Sequence, residues 1–195
     1  MRKLLPDPPP SRWAIIGNAG SGKTTLARKI AQLTGASVLD LDTLAWAANT
    51  PTPERRAVEE TRRLLDSFGA EHETWIAEGC YEDLVAELLR FDPCLVWLRA
   101  GVGACLSHCR SREFEPHKFA SLAEQNAALP ALLEWVAGYP DREGPMSEAA
   151  HRALFETYQG RKREVVPEGN PTASFSPTQQ APTHESTTNT HHPPT

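Results

Sequence analysis

The sequence predicts an α/β domain built on a parallel sheet with helices on both faces. Three observations carry this. Apolar runs at 13–16, 37–42, 74–77 and 94–98 alternate with stretches of helical periodicity. The runs at 13–16 and 94–98 are apolar throughout, as strands buried on both faces are. The joins are short, which is how β-α units succeed one another in such sheets.

The elements follow in order. Residues 1–11 are proline-rich and read as a loose leader. The strand at 13–16 runs into Gly17-Asn18-Ala19-Gly20-Ser21-Gly22-Lys23-Thr24, which fits G-x-x-x-x-G-K-[ST]. A helix opens at Gly22, presents Leu26, Ile30 and Leu33 to the core and stops at Gly35. Residues 37–42 read as the second strand, with Asp42 at its carboxyl end, and 43–53 as a loop holding Trp46. Thr52-Pro53 is an N-cap followed by an N1 proline, which opens a helix over 54–68 with Val58, Leu64, Leu65 and Phe68 inward.

The third strand, 74–77, has Glu78-Gly79 at its end. A short helix over 82–90 turns Leu84, Val85, Leu88 and Leu89 inward, and the strand at 94–98 ends at Arg99. Helices are expected over 102–112, over 122–136 with a break at Pro130, and over 147–158 with Ser147 as N-cap. Residues 163–166 read as a fifth, edge-like strand. From 167 the chain is Pro, Thr, Ser, Gln, Asn and His with almost no apolar residues, a composition that cannot offset its ordering entropy by burial. The domain therefore spans 12–166, between the leader and a disordered tail at 167–195.

Composition narrows the class of function. At 195 residues and 39% hydrophobic, the chain can build one core. Its net charge is −5 and its basic residues form no run, so a nucleic-acid surface is not indicated. No apolar stretch reaches membrane-spanning length, and 1–10 lack the apolar stretch of a signal peptide. Four cysteines without such a signal predict reduced thiols in a cytosol.

The glycine-rich stretch carries the chemistry. Its glycines allow a tight turn whose N–H groups converge on phosphate oxygens, and the new helix aims its positive end at the same point. Gly17 through Thr25 are thus the candidate nucleotide-binding residues. Lys23 reaches the β- and γ-phosphates and the Thr24 hydroxyl sits on Mg²⁺. Phosphate loops also need an acid at a neighbouring strand end. Glu78 and Asp42 both qualify, as a Mg²⁺-shell acid or as a general base for an acceptor hydroxyl, and Asp40 shares the face of Asp42. Either can also be a solvated strand-end carboxylate.

Phosphoryl transfer further needs mobile cations. Arg110, Arg112 and Lys118 flank a proline-containing loop and form a candidate lid; Arg161 to Arg163 and Arg99 are further candidates, with surface solubility as the competing reading. Trp46 either lines an acceptor pocket or packs. Cys105 and Cys109 share a helix face without a second ligand pair, which favours burial over zinc. Cys80 lies near the expected site.

These stretches resemble the adenylate-kinase-like and shikimate-kinase-like group of P-loop kinases, and most of all small bacterial proteins of the DNA topology modulation (FlaR-like) type. GNAGSGKTTLARKIA is similar to their first loop and helix. LDTLAW resembles their strand-end Asp and following Trp, and WIAEGCY their third strand, with Glu78-Gly79 where Asp-Gly is usual. The resemblance covers 13–112. It implies a P-loop NTPase three-layer sandwich with a five-stranded sheet in order 2-3-1-4-5, a small helical lid region, ATP·Mg²⁺ as donor and a small-molecule phosphoryl acceptor. A nucleic-acid-associated ATPase with slow hydrolysis and an ATP-binding module without catalysis are the competing functions. Deleting 167–195 is expected to leave the melting temperature unchanged in differential scanning calorimetry.

Overall fold

The computed structural model describes residues 8–47, 54–116 and 119–167. The leader through residue 7, the helix start at Thr52-Pro53, Lys118 of the lid loop and the tail from 168 lie outside them.

Strand β1 (Arg12–Gly17) leads into helix α1 (Lys23–Thr34), which ends at Gly35 in the left-handed conformation (φ 73°). β2 is Ser37–Asp40 and is followed at once by the single helical turn α2 (Asp42–Ala45). Then come α3 (Val58–Glu71), β3 (Trp75–Gly79) and α4 (Glu82–Leu88), the last continued by a 3₁₀ turn at Leu89–Phe91. β4 (Cys94–Leu98), α5 (Val102–Arg110), α6 (Leu122–Ala137), α7 (Glu148–Thr157) and β5 (Lys162–Val165) complete the described chain.

All strand pairs are parallel and the order is β2-β3-β1-β4-β5. The expected sheet is therefore the observed one, edge strand β5 included.

Side-chain alternation splits the core into two layers. Trp13 and Ile15 of β1 pack with Ile76, Val96, Ala27 and Ile30 on the α1 face. Ala14 and Ile16 pack with Trp75, Trp97, Leu65, Leu84 and Leu154 on the opposite face, under α3, α4 and α7. A smaller cluster of Ala100, Cys105, Cys109 and Val136 joins α5 to α6. No helix among the described residues is long and apolar enough to cross a membrane.

Four expectations are corrected. Asp42 does not end a strand: β2 stops at Asp40, whose carboxylate accepts the Asp42 N–H at 2.9 Å, and this turn starts α2. Val58 and Leu64 were expected in the core but are 68% and 37% exposed; the end residue and a flanking position lie off the face that carries Leu65 and Phe68. Leu33 of α1 is also exposed, and Ala27 with Ile30 carries that contact. Pro130 does not interrupt α6. It is exposed, where solvent can serve the carbonyl that its missing N–H leaves unpaired.

The two adjacent leucines of α3 test this assignment. Leu65→Ala is expected to cost about 2–5 kcal/mol in urea unfolding, because a fully buried side chain leaves a cavity. Leu64→Ala should cost less than about 1 kcal/mol.

Candidate active site

The carboxyl edge of the sheet brings the phosphate loop and the predicted acids together. Parallel register aligns Ile15 with Glu78 and Asp40 with Glu78, so the ends of β1, β2 and β3 open on one side. Ligands lie at this edge in open α/β sheets.

The loop itself is held tightly. Gly17 closes against β4: a Cβ there would stand 2.4 Å from the Leu98 carbonyl oxygen. Gly20 has φ +76°, and a Cβ on it would stand 2.4 Å from the Cys105 carbonyl oxygen in α5. Both positions therefore exclude side chains. The Asn18 side chain accepts from the Ala19 N–H at 2.9 Å and donates to the Val136 carbonyl of α6 at 3.0 Å. Lys23 is buried and donates through Nζ to the Asn18 carbonyl at 2.9 Å, while the Ser21 N–H reaches the same oxygen at 3.2 Å. Ser21 Oγ is buried with no hydrogen-bond partner among the described residues.

Glu78 meets this loop. It is the fourth residue of β3, only 3% exposed, and not the solvated strand-end acid that the pattern also allowed. The Thr24 hydroxyl donates to its Oε1 at 2.6 Å. Burial pushes the Glu78 carboxyl above its ordinary range; the Lys23 charge and the Thr24 hydroxyl pull it back, and Asp40 and Asp42 push it up again. Hydroxyl and carboxylate oxygens so close are hard donors of the kind Mg²⁺ takes. The donor set fits that ion.

Asp42 faces a hydroxyl that the sequence reading did not single out. Tyr81 donates to Asp42 Oδ1 at 2.7 Å and accepts from Trp46 Nε1 at 2.9 Å. Burial and then the Asp42 charge hold the Tyr81 phenol far above its usual range, so it stays a donor. Trp46 is thus neither loose nor purely packed: its indole N–H orients the tyrosine that orients the acid. Arg55 lies over both rings, at 5.7 Å from Trp46 and 5.0 Å from Tyr81, and pairs with Asp83 at 2.5 Å.

Behind Tyr81 stands a second group that the sequence left unremarked. His151 Nε2 donates to the Cys80 carbonyl at 3.0 Å, and a carbonyl can only accept. Nδ1 is then unprotonated and accepts from the Tyr139 hydroxyl at 2.8 Å, which in turn lies 3.4 Å from Trp97 Nε1. Burial lowers the His151 pKa to about 4; the Cys80 carbonyl opposes this, and the Lys23 and Arg142 charges add to it.

The candidate cations divide. Arg110 is exposed at the end of α5 and makes no ion pair with a described residue, whereas Arg112 is held by Glu115 at 3.1 Å. Arg99 pairs with Glu164, and Lys162 caps the carbonyls of Phe155, Glu156 and Tyr158 at the end of α7. Neither serves the loop. Arg142, which periodicity could not reveal because it lies between helices, sits 3.6 Å over the Trp135 ring and donates to the Trp135 carbonyl at 2.7 Å. Its Nε and Nη1 are buried without partners, and burial lowers its pKa. Thr25 is exposed on α1, beyond the contacts described. All four cysteines are free and buried, and the Cys80 thiol is pushed up to about 11, which leaves it unreactive.

No protein-family model matches the chain, and no curated protein matches it. Solved structures do. A putative kinase from Chloroflexus aurantiacus is 16% identical over 85% of this chain and 93% of its own, with a TM-score of 0.46. A gluconokinase from Sinorhizobium meliloti is 17% identical over 82% and 84%, with a TM-score of 0.45. A shikimate kinase from Acinetobacter baumannii, in complex with shikimate, is 20% identical over 78% and 92%, with a TM-score of 0.38. At such identities the likeness bears on the fold alone, which the strand order already establishes.

His151 gives the site a pH signature. Its unfolded pKa is about 6.5 and its folded value about 4, so as pH falls through this window the unfolded chain binds a proton that the native chain refuses. Stability contributed by the neutral ring is complete above about pH 6.5 and is lost toward pH 4, by about 3 kcal/mol in all. Glu78 has the opposite sign, since its raised pKa favours the native state in acid. Comparison with His151→Gln isolates the histidine: urea unfolding between pH 7 and pH 4.5 should show the larger loss in the wild type.

Proposed function

We propose that this chain is a small-molecule kinase that transfers the γ-phosphoryl group of ATP, with Mg²⁺, to a hydroxyl of a small acceptor. The observation that carries the reading is the Thr24–Glu78 hydrogen bond, which joins the phosphate loop to an acid of β3 on the edge that also bears Asp42. ATP·Mg²⁺ would supply the phosphoryl group and the divalent charge.

The chain's own residues divide the remaining work. The loop from Gly17 to Thr24 binds phosphate oxygens through its N–H groups, and Lys23 exchanges the Asn18 carbonyl for a phosphate. Thr24 and Glu78 would hold the metal. Asp42 accepts the proton of the acceptor hydroxyl, in a carboxylate orientation kept by Tyr81 and Trp46. Arg110 offers a mobile cation for the transferring group, and Arg112 could join it by leaving Glu115. Arg142 offers a further cation beside the acceptor side, at a cleft it lines with Glu82, Asp83 and Pro145. Within the kinase group, the LDTLAW and WIAEGCY stretches favour the FlaR-like proteins as kin.

The test is ADP release from ATP·Mg²⁺ with a panel of nucleoside monophosphates, nucleosides and hydroxy-acids. Acceptor-stimulated turnover is expected, abolished by Lys23→Ala. Asp42→Asn should lower it by roughly 100-fold or more while ATP affinity stays within a few-fold. Slow turnover indifferent to every acceptor but raised by DNA would replace the kinase with a nucleic-acid-associated ATPase. ATP binding without turnover would leave a binding module.

A further inference from the structure

We infer that His108 is a positioning residue for the phosphate loop, acting through one peptide plane; the inference rests on the loop's proposed role in binding triphosphate. His108 lies in the last turn of α5, and its Nδ1 is 2.8 Å from the Gly20 carbonyl oxygen. The carbonyl only accepts, so Nδ1 carries the proton and donates.

The consequence falls on the next residue. The Gly20 carbonyl and the Ser21 N–H belong to one trans peptide and point in opposite directions. Fastening the carbonyl to α5 turns the Ser21 N–H to the loop interior. There it reaches the Asn18 carbonyl at 3.2 Å, the oxygen that also receives Lys23 Nζ at 2.9 Å. One carbonyl oxygen thus occupies the two donors that a phosphate oxygen would take. Without the imidazole, that plane is free to turn by paired changes in ψ of Gly20 and φ of Ser21, the two torsions that flank it.

Two further contacts show that α5 is built against this peptide. A Cβ on Gly20 would stand 2.4 Å from the Cys105 carbonyl oxygen and 2.9 Å from Cys109 Sγ. The front of the loop is fixed separately, by the Asn18 side chain on the Val136 carbonyl of α6. The loop is therefore set from both lid-side helices: by a hydrogen bond to α5 at Gly20 and by one to α6 at Asn18. His108 is the donor of the first.

Calorimetric titration with Mg²⁺·ATP and with inorganic tripolyphosphate tests this on the full chain. His108→Leu and His108→Phe keep bulk but remove the donor, and each should weaken both ligands roughly three- to tenfold, the worth of one neutral hydrogen bond. His108→Asn places an amide N–H one bond from Cγ, as Nδ1 is, and should stay within about twofold of wild type. Wild-type affinity in both donor-less variants would overturn the proposal, as would an Asn variant as weak as they are, since imidazole bulk rather than the hydrogen bond would then matter. A wild-type protein that binds neither ligand would instead overturn the phosphate-loop reading on which the inference stands.

Discussion

A carboxylate buried at the end of a central strand is the constraint around which this site is arranged. Glu78 is almost fully buried between β1 and β2, in a layer otherwise apolar. An ion there pays a desolvation penalty of several kcal/mol unless it is paired and hydrogen-bonded. Thr24 supplies a hydrogen bond and Lys23 a favourable charge, and both belong to the glycine-rich loop. The loop's position and the acid's burial are thus mutually required. A hydrogen bond to a charged group is worth about 1.5–3 kcal/mol, so stability and ligand binding are entangled at this point. The raised pKa records what compensation remains incomplete, and a divalent cation would complete it.

The acceptor side is built differently. It rests on neutral groups that fix each other's geometry. Trp46 donates to Tyr81, which donates to Asp42; next to it, Trp97, Tyr139 and His151 form a second series that ends on the Cys80 carbonyl. Cys80 and Tyr81 are consecutive, so the turn after Glu78-Gly79 is gripped by backbone and by side chain. A tyrosine forced to stay protonated and a histidine forced to stay neutral give fixed donor and acceptor roles. Under the proposed function, that rigidity would suit Asp42 as a general base.

How far the sequence reached depends on whether a feature is local. The phosphate loop was legible because eight consecutive residues and their flanks state it. The strands were legible from apolar runs, and Glu78 from its place after one of them. Asp42 is legible as an acid but not as a residue past the strand, because a period-2 pattern does not show that the Asp40 carboxylate accepts the N–H two residues on. The inward face of α3 was half right: Leu65 and Phe68 point to the sheet, but Leu64 is a hundred degrees round the helix from Leu65 and follows solvent. The roles of Tyr81, His108 and His151 are not legible for a common reason. Each acts on a partner far away in sequence, such as Gly20 for His108 and Cys80 for His151, and no spacing rule connects them.

The same long-range contacts decide what kind of lid this chain can have. A hinged lid that carries cations over a bound phosphate needs to move independently of the loop beneath it. Here α5 holds Gly20 and α6 holds Asn18, so the two helices that border the candidate lid are tied to the phosphate loop itself. Motion of the helices as a whole would disturb the nest of N–H groups. Between them, beyond Arg110, Arg112 is latched to Glu115, and Gln125 of α6 receives the Glu115 N–H. Arg112 must leave Glu115 before it can move, whereas Arg110 makes no ion pair with a described residue. Under the proposed kinase function, that difference makes Arg110 the freer of the two candidate cations.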